Sequence, residues 1–130
     1  AYVALVLLLT LQQGHFLYPG ARLPAQWQSP GMDGVEDVRL KTRDGLTLQA
    51  WYAPPVSRPT IVFFHGNGDL IQNRRPLAQF FRQQGYGFLF VEYRGYGGNP
   101  GTPSEEGLFQ DADAAHDFLT ARGQHRNMVL

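Results

Sequence analysis

The stretch TIVFFHGNG, residues 60–68, decides the fold. Thr60 to Phe64 is an unbroken run of β-branched and aromatic residues, the pattern of a parallel strand buried on both faces. It stops at His65-Gly66-Asn67-Gly68, where two glycines let the backbone turn closely. From about Gln72 to Gln84, Leu77, Phe80, Phe81 and Gln84 recur at helical spacing. Pro76 falls in the first turn of that helix, and Gly85 is placed to close it in the left-handed conformation. FLFVEY, residues 88–93, is a second continuous buried strand.

Working outward, the same unit repeats. A glycine-rich loop over 94–101 leads into Thr102-Pro103-Ser104-Glu105, which reads as a capping box with Thr102 at N-cap, Pro103 at N1 and Glu105 at N3. The helix it opens presents Leu108, Ala112, Ala115, Phe118 and Leu119 on one face, with Gly123 available to end it. Asn127 to Leu130 begin a third buried strand. Upstream, VEDVRLKT (35–42) and LTLQAWYA (46–53) alternate on either side of Asp44-Gly45. This predicts an antiparallel hairpin with a two-residue turn and one solvated face. The class is therefore α/β: a hairpin, then β-α-β-α-β, giving a mostly parallel sheet with helices on both faces.

Residues 1–18 are of another kind. Ala1 to Leu11 hold ten apolar residues and one threonine without a charge, and Phe16, Leu17 and Tyr18 add an aromatic edge. The segment reads as an apolar helix serving as a membrane anchor or the apolar part of a signal peptide. The anchor ranks first because no small-x-small cleavage site follows closely. A single anchor implies a membrane location; cleavage would imply a secreted or periplasmic one. Residues 19–34, rich in Pro, Gly and polar side chains, read as a linker, and 35–130 as the N-terminal part of the domain. The chain opens inside an apolar run and closes on the first residues of a strand, so a piece of a longer protein is expected.

Composition removes several functions. Eleven basic residues balance eleven acidic ones, leaving no electrostatic footprint for nucleic acid. With no cysteine there is no disulfide, no thiolate catalysis and no Cys-type zinc site.

At His65-Gly66-Asn67-Gly68 and at Glu92-Tyr93-Arg94-Gly95-Tyr96-Gly97 the chain resembles the α/β-hydrolase superfamily. Residues 93–107 (YRGYGGNPGTPSEEG) are especially similar to membrane-anchored α/β-hydrolase-domain proteins near the serine-aminopeptidase-like branch. The resemblance covers about residues 35–130 and implies a serine hydrolase that cleaves an ester, thioester or amide through an acyl-enzyme, with no cofactor and no metal. It implies that the strand beginning at Asn127 runs into a G-x-S-x-G elbow, so nucleophile, acid and base lie outside these residues. Ser29, Ser57 and Ser104 lack the elbow's flanking glycines. It further implies that the backbone N–H of Asn67 is an oxyanion-hole donor, supported by His65, Gly66 and Gly68, with His65 structural rather than a base. Tyr96 is a candidate for the mouth of the substrate pocket, and the apolar loops favour a small-molecule or lipid-like acyl substrate. Arg94 is expected to shape its loop through an ion pair. Glu105, Glu106, Asp111, Asp113 and Asp117 are expected to cap and solvate their helix rather than bind a metal.

Two other readings remain at this point. A hydrolase-like protein without a triad would be a binding or scaffolding module. Alternatively, Gly66-x-Gly68 after a strand, with Glu92 ending the next, imitates a dinucleotide-binding fingerprint, although Ile71 occupies its third glycine position.

Overall fold

The computed structural model describes residues 1–23, 26–124, 128 and 129. Its elements run α1 (Tyr2–Leu17), β1 (Glu36–Lys41), β2 (Thr47–Ala53), β3 (Thr60–Phe64), α2 (Arg75–Gln83), β4 (Gly87–Val91), α3 (Glu105–Ala121) and β5 (Met128–Val129). They form one five-stranded sheet in the order β1-β2-β4-β3-β5. β1 and β2 are antiparallel, β2 and β4 antiparallel, and β3 is parallel to both β4 and β5. The predicted α/β class, hairpin and βαβαβ order all stand.

The central strand shows why. Every residue of β4 is buried, and its side chains alternate between two cores. Phe88 and Phe90 pack with Trp51, Ala53, Ile71 and Ala78 on the α2 side. Leu89 and Val91 pack with Val38, Leu40, Leu48, Ala50, Val62 and Leu119 on the α3 side. A strand clothed on both faces has no polar position to give, hence the continuous apolar run.

Several local expectations are corrected. The turn at Asp44-Gly45 is longer than two residues: Gly45 N–H donates to Thr42 C=O (3.1 Å) and Thr42 N–H to Leu46 C=O (2.9 Å). A two-residue type I′ turn needs positive φ at both central positions; Gly45 has φ +95°, whereas no described non-glycine residue has positive φ. The hairpin's solvated face is confined to β1, where Glu36, Asp37, Arg39 and Lys41 are exposed. β2 is interior, so Trp51 and Ala53 are buried as fully as Leu48 and Ala50. A 3-10 turn over Ile71–Arg74 precedes α2, whose inward residues are Leu77, Ala78 and Phe81, while Phe80 is exposed. Gly85, at φ +84°, closes α2 as expected.

The N-cap of α3 is Ser104, not Thr102. Its Oγ accepts from Gly107 N–H at 3.0 Å, so N3 is a glycine and the capping box does not form. Asn127 and Leu130 lie outside the described residues; Met128 and Val129 pair with Thr60 and Ile61. Val129, at the sheet edge, is half exposed.

The segment joining α1 to the sheet is mostly exposed but tethered at several points. Trp27 Nε1 donates to Asp37 (2.7 Å), Trp51 Nε1 to Gln28 C=O (3.2 Å), and Arg75 reaches Ser29 and Pro30 carbonyls. α1 itself buries none of its residues. Among the described residues no helix is long and apolar enough to cross a membrane.

Candidate active site

β3 and β4 are parallel, so their C-terminal ends and the loops that leave them share one edge of the sheet, the edge where open α/β sheets bind ligands. The first loop carries His65-Gly66-Asn67-Gly68 and the second carries residues 92–104. Their contact is built on three buried side chains: His65, Glu92 and Tyr96.

Glu92 sits at the centre. One carboxylate oxygen meets His65 Nε2, and the other accepts from Ile71 N–H at 3.1 Å. His65 Nδ1 faces Gly66 C=O at 2.8 Å. Both ring nitrogens are thus engaged, leaving none to act as a general base, in keeping with a structural histidine. Gly97, at φ +57°, makes room for this cluster, since a Cβ there would stand 2.7 Å from Glu92 Oε2. Glu92 is only 1% exposed with both oxygens occupied, so it is not available to a ribose.

The Gly66 carbonyl is the hinge of the site. It accepts from Asp69 N–H (3.1 Å) as well as facing His65. Among the described residues there is no cis peptide, and a trans peptide is planar with C=O and N–H directed oppositely. Holding Gly66 C=O inward therefore turns the N–H of the same peptide, that of Asn67, the other way. Gly66, Asn67 and Gly68 are exposed, and no described residue accepts from the Asn67 N–H. The Asn67 carbonyl, by contrast, accepts from Gly20 N–H and from Tyr96 Oη, each at 2.8 Å.

Tyr96, expected at the pocket mouth, is buried instead and its hydroxyl is committed to Asn67. Burial pushes its phenol up to about 12, and that of Tyr93 likewise to about 12, so both remain hydroxyl donors near neutral pH. Tyr93 Oη donates to His65 C=O at 2.8 Å. A largely apolar groove of about 460 Å³ opens beside Tyr93, lined by Tyr18, Phe64, Leu108, Phe109 and Ala112 together with the acidic Glu105.

The second loop is held by Arg94 and Asn99. Arg94 makes a two-pronged contact with Asp44 (2.7 and 3.1 Å) and a further bond from Nε to Asp111 (2.8 Å). Asp111 also accepts from Arg94 N–H at 2.9 Å. The loop-shaping role expected of Arg94 is met. Asp111, expected on a solvated helix face, is instead fully buried as its partner. Asp113 and Asp117 are exposed and face Arg43. No group of three or more potential metal ligands occurs among the described residues. Asn99 accepts from Gln49 N–H (3.1 Å) and donates to Glu92 C=O (3.0 Å), tying the loop to β2. The jobs of Glu92, Asn99 and Asp111 are invisible in sequence, because each is defined by a partner at least seven positions away.

No family model matches the chain. An uncharacterized protein of Mycobacterium tuberculosis is 37% identical over 114 residues, covering 85% of this chain and 41% of that protein. The alpha/beta hydrolase domain-containing protein WAV2 of Arabidopsis thaliana is 38% identical over 91 residues, 67% of this chain and 30% of WAV2. The crystal structure of an alpha-beta hydrolase from Vibrio vulnificus superposes with a TM-score of 0.69 at 25% identity, covering 86% of this chain and 42% of that one. The chain belongs to the α/β-hydrolase superfamily. It spans well under half the length of these relatives. In the sheet order the loop after β3 lies next to the position of β5, and the loop after β4 lies one strand further away on the same side. The three serines have other tasks or surroundings: Ser104 caps α3, the Ser29 carbonyl holds Arg75, and Ser57 abuts Gly85.

Proposed function

We propose that the protein carrying this chain is a serine hydrolase cleaving an ester, thioester or amide through an acyl-enzyme, and that Asn67 supplies one main-chain oxyanion donor. The observation that carries this reading is the Asn67 N–H, without a described acceptor, on a peptide whose carbonyl end is tied down. A donor fixed before the reaction stabilises the developing alkoxide without reorganising as charge appears. The nucleophile is expected on the elbow after β5, with acid and base further on. The groove beside Tyr93, apolar except for Glu105, favours an apolar acyl group. We further infer that α1, whose large apolar side chains are exposed, attaches the protein to lipid.

The test is made in the full-length protein. Asn67→Pro removes the N–H and is expected to lower kcat on a p-nitrophenyl ester by about 100- to 1000-fold. Asn67→Ala keeps the N–H and should leave kcat within a few-fold of the parent. An unchanged kcat in Asn67→Pro would overturn the assignment. Absence of both turnover and fluorophosphonate labelling in the parent protein would favour a non-catalytic binding module.

A further inference from the structure

The residue with the outward amide is also the docking point of the N-terminal segment. After α1 ends at Leu17, a short 3-10 turn over Pro19–Arg22 brings Gly20 into the interior. There its N–H donates to Asn67 C=O, beside the Tyr96 hydroxyl bound to the same oxygen. The fit admits only glycine: an added Cβ would lie 2.5 Å from Asn67 O and 2.5 Å from Tyr96 Cε2. Asn67 is therefore held at both of its peptides. His65 and Asp69 N–H grip the preceding one through Gly66 C=O, while Gly20 and Tyr96 grip the following one through Asn67 C=O. The only torsions between the two grips are φ and ψ of Asn67. The Asn67 N–H lies on the first of these peptides; without the second grip the following peptide swings about φ and ψ of Asn67, and the peptide that carries the N–H is steadied at its Gly66 carbonyl alone.

We propose that Gly20 is a positioning residue of the hydrolase site, acting with Tyr96 through the Asn67 carbonyl, so that the segment following the apolar helix completes the oxyanion hole. This rests on the oxyanion reading of Asn67. It makes 19–22 part of the working site as well as a connection. Neither Gly20 nor Tyr96 touches the reacting atoms, so the effect falls on transition-state stabilisation and spares substrate binding.

The experiment compares Gly20→Ala and Tyr96→Phe with the parent full-length protein on a p-nitrophenyl ester and on its matched thiono ester. Tyr96→Phe keeps the buried ring and removes only the hydroxyl, so it reports even if Gly20→Ala fails to fold. Each folded variant is expected to lose about 10- to 100-fold in kcat, with KM within about two-fold. The parent's preference for the oxygen ester over the thiono ester should shrink in both, because sulfur profits little from oxyanion donors; a general loss of folded protein would leave that ratio unmoved. Parent-like kcat and parent-like oxygen preference in folded Tyr96→Phe would overturn the proposal while leaving the hydrolase reading intact. A parent protein without esterase activity or fluorophosphonate labelling would remove the hydrolase reading and this inference with it.

Discussion

Arg94 illustrates how single residues stabilise this site. Its guanidinium is nearly buried and divides itself between an exposed partner, Asp44, and a buried one, Asp111. Hydrogen bonds from Arg94 and Thr42 draw the Asp44 carboxyl down from 3.8 to about 2. A depressed carboxyl contributes stability at pH above its unfolded value, near 4, and that contribution fades as pH falls toward 2. Asp44→Asn should therefore flatten acid unfolding between about pH 4 and 2, measured by circular dichroism, with solvent screening keeping the effect modest. Unaltered acid unfolding would show that the pair holds geometry without adding stability. Asp111 behaves differently: burial pushes its carboxyl up despite Arg94. Of these residues, Arg94 was legible as a loop anchor because an arginine amid glycines needs a partner. Asp111 was not, since its spacing within the α3 pattern carries no mark of the loop it meets.

Among the elements, α3 shows where local rules compete. Thr102 and Ser104 both offer a hydroxyl before a helix, and Thr102 has proline and glutamate at the favoured distances. The helix begins two residues later, and Pro103 packs beside Gly95 in the loop before it, where an added Cβ would be 2.7 Å from its Cδ. Ser104 then becomes the extended residue with φ −153° and ψ 162°. Ser104→Ala should cost about 1 kcal/mol in urea unfolding, and Thr102→Ala much less; the reverse order would restore the local capping box. The strands were read more faithfully. TIVFF and FLFVEY are buried on both faces, so their composition alone marks them, whereas the turn after Thr42 depends on hydrogen-bond registry that composition does not encode. Phe80, which is exposed, shows a related limit: helical spacing identifies a stripe but not which flank of it the sheet covers.

At the scale of the molecule, one part stands apart from the rest. α1 has 16 residues and buries none of them. At ~1.5 Å per residue it rises about 24 Å, less than the roughly 30 Å hydrocarbon layer. Its leucines and valines are exposed on every side, the pattern of a helix whose apolar surface is covered by lipid or by protein outside these residues. Removing residues 1–17 from the full-length protein, while keeping Tyr18 to Arg22, should move it from the membrane pellet to the supernatant with esterase activity retained. Continued sedimentation would place the lipid contact elsewhere in the protein. The apolar run was evident from sequence. Its junction with the Asn67 loop was not, because 47 positions separate Gly20 from its acceptor.

The alternation of β4 carries one more consequence. Phe88 and Phe90 fill the cavity beneath α2, while Leu89 and Val91 fill the one beneath α3. Deleting a single residue from this strand would exchange the two sets, forcing phenyl rings into the aliphatic side and leaving voids on the aromatic side. β4 thus works as the key that fixes the registry of both halves at once, and length changes there should be tolerated less than anywhere else in the sheet.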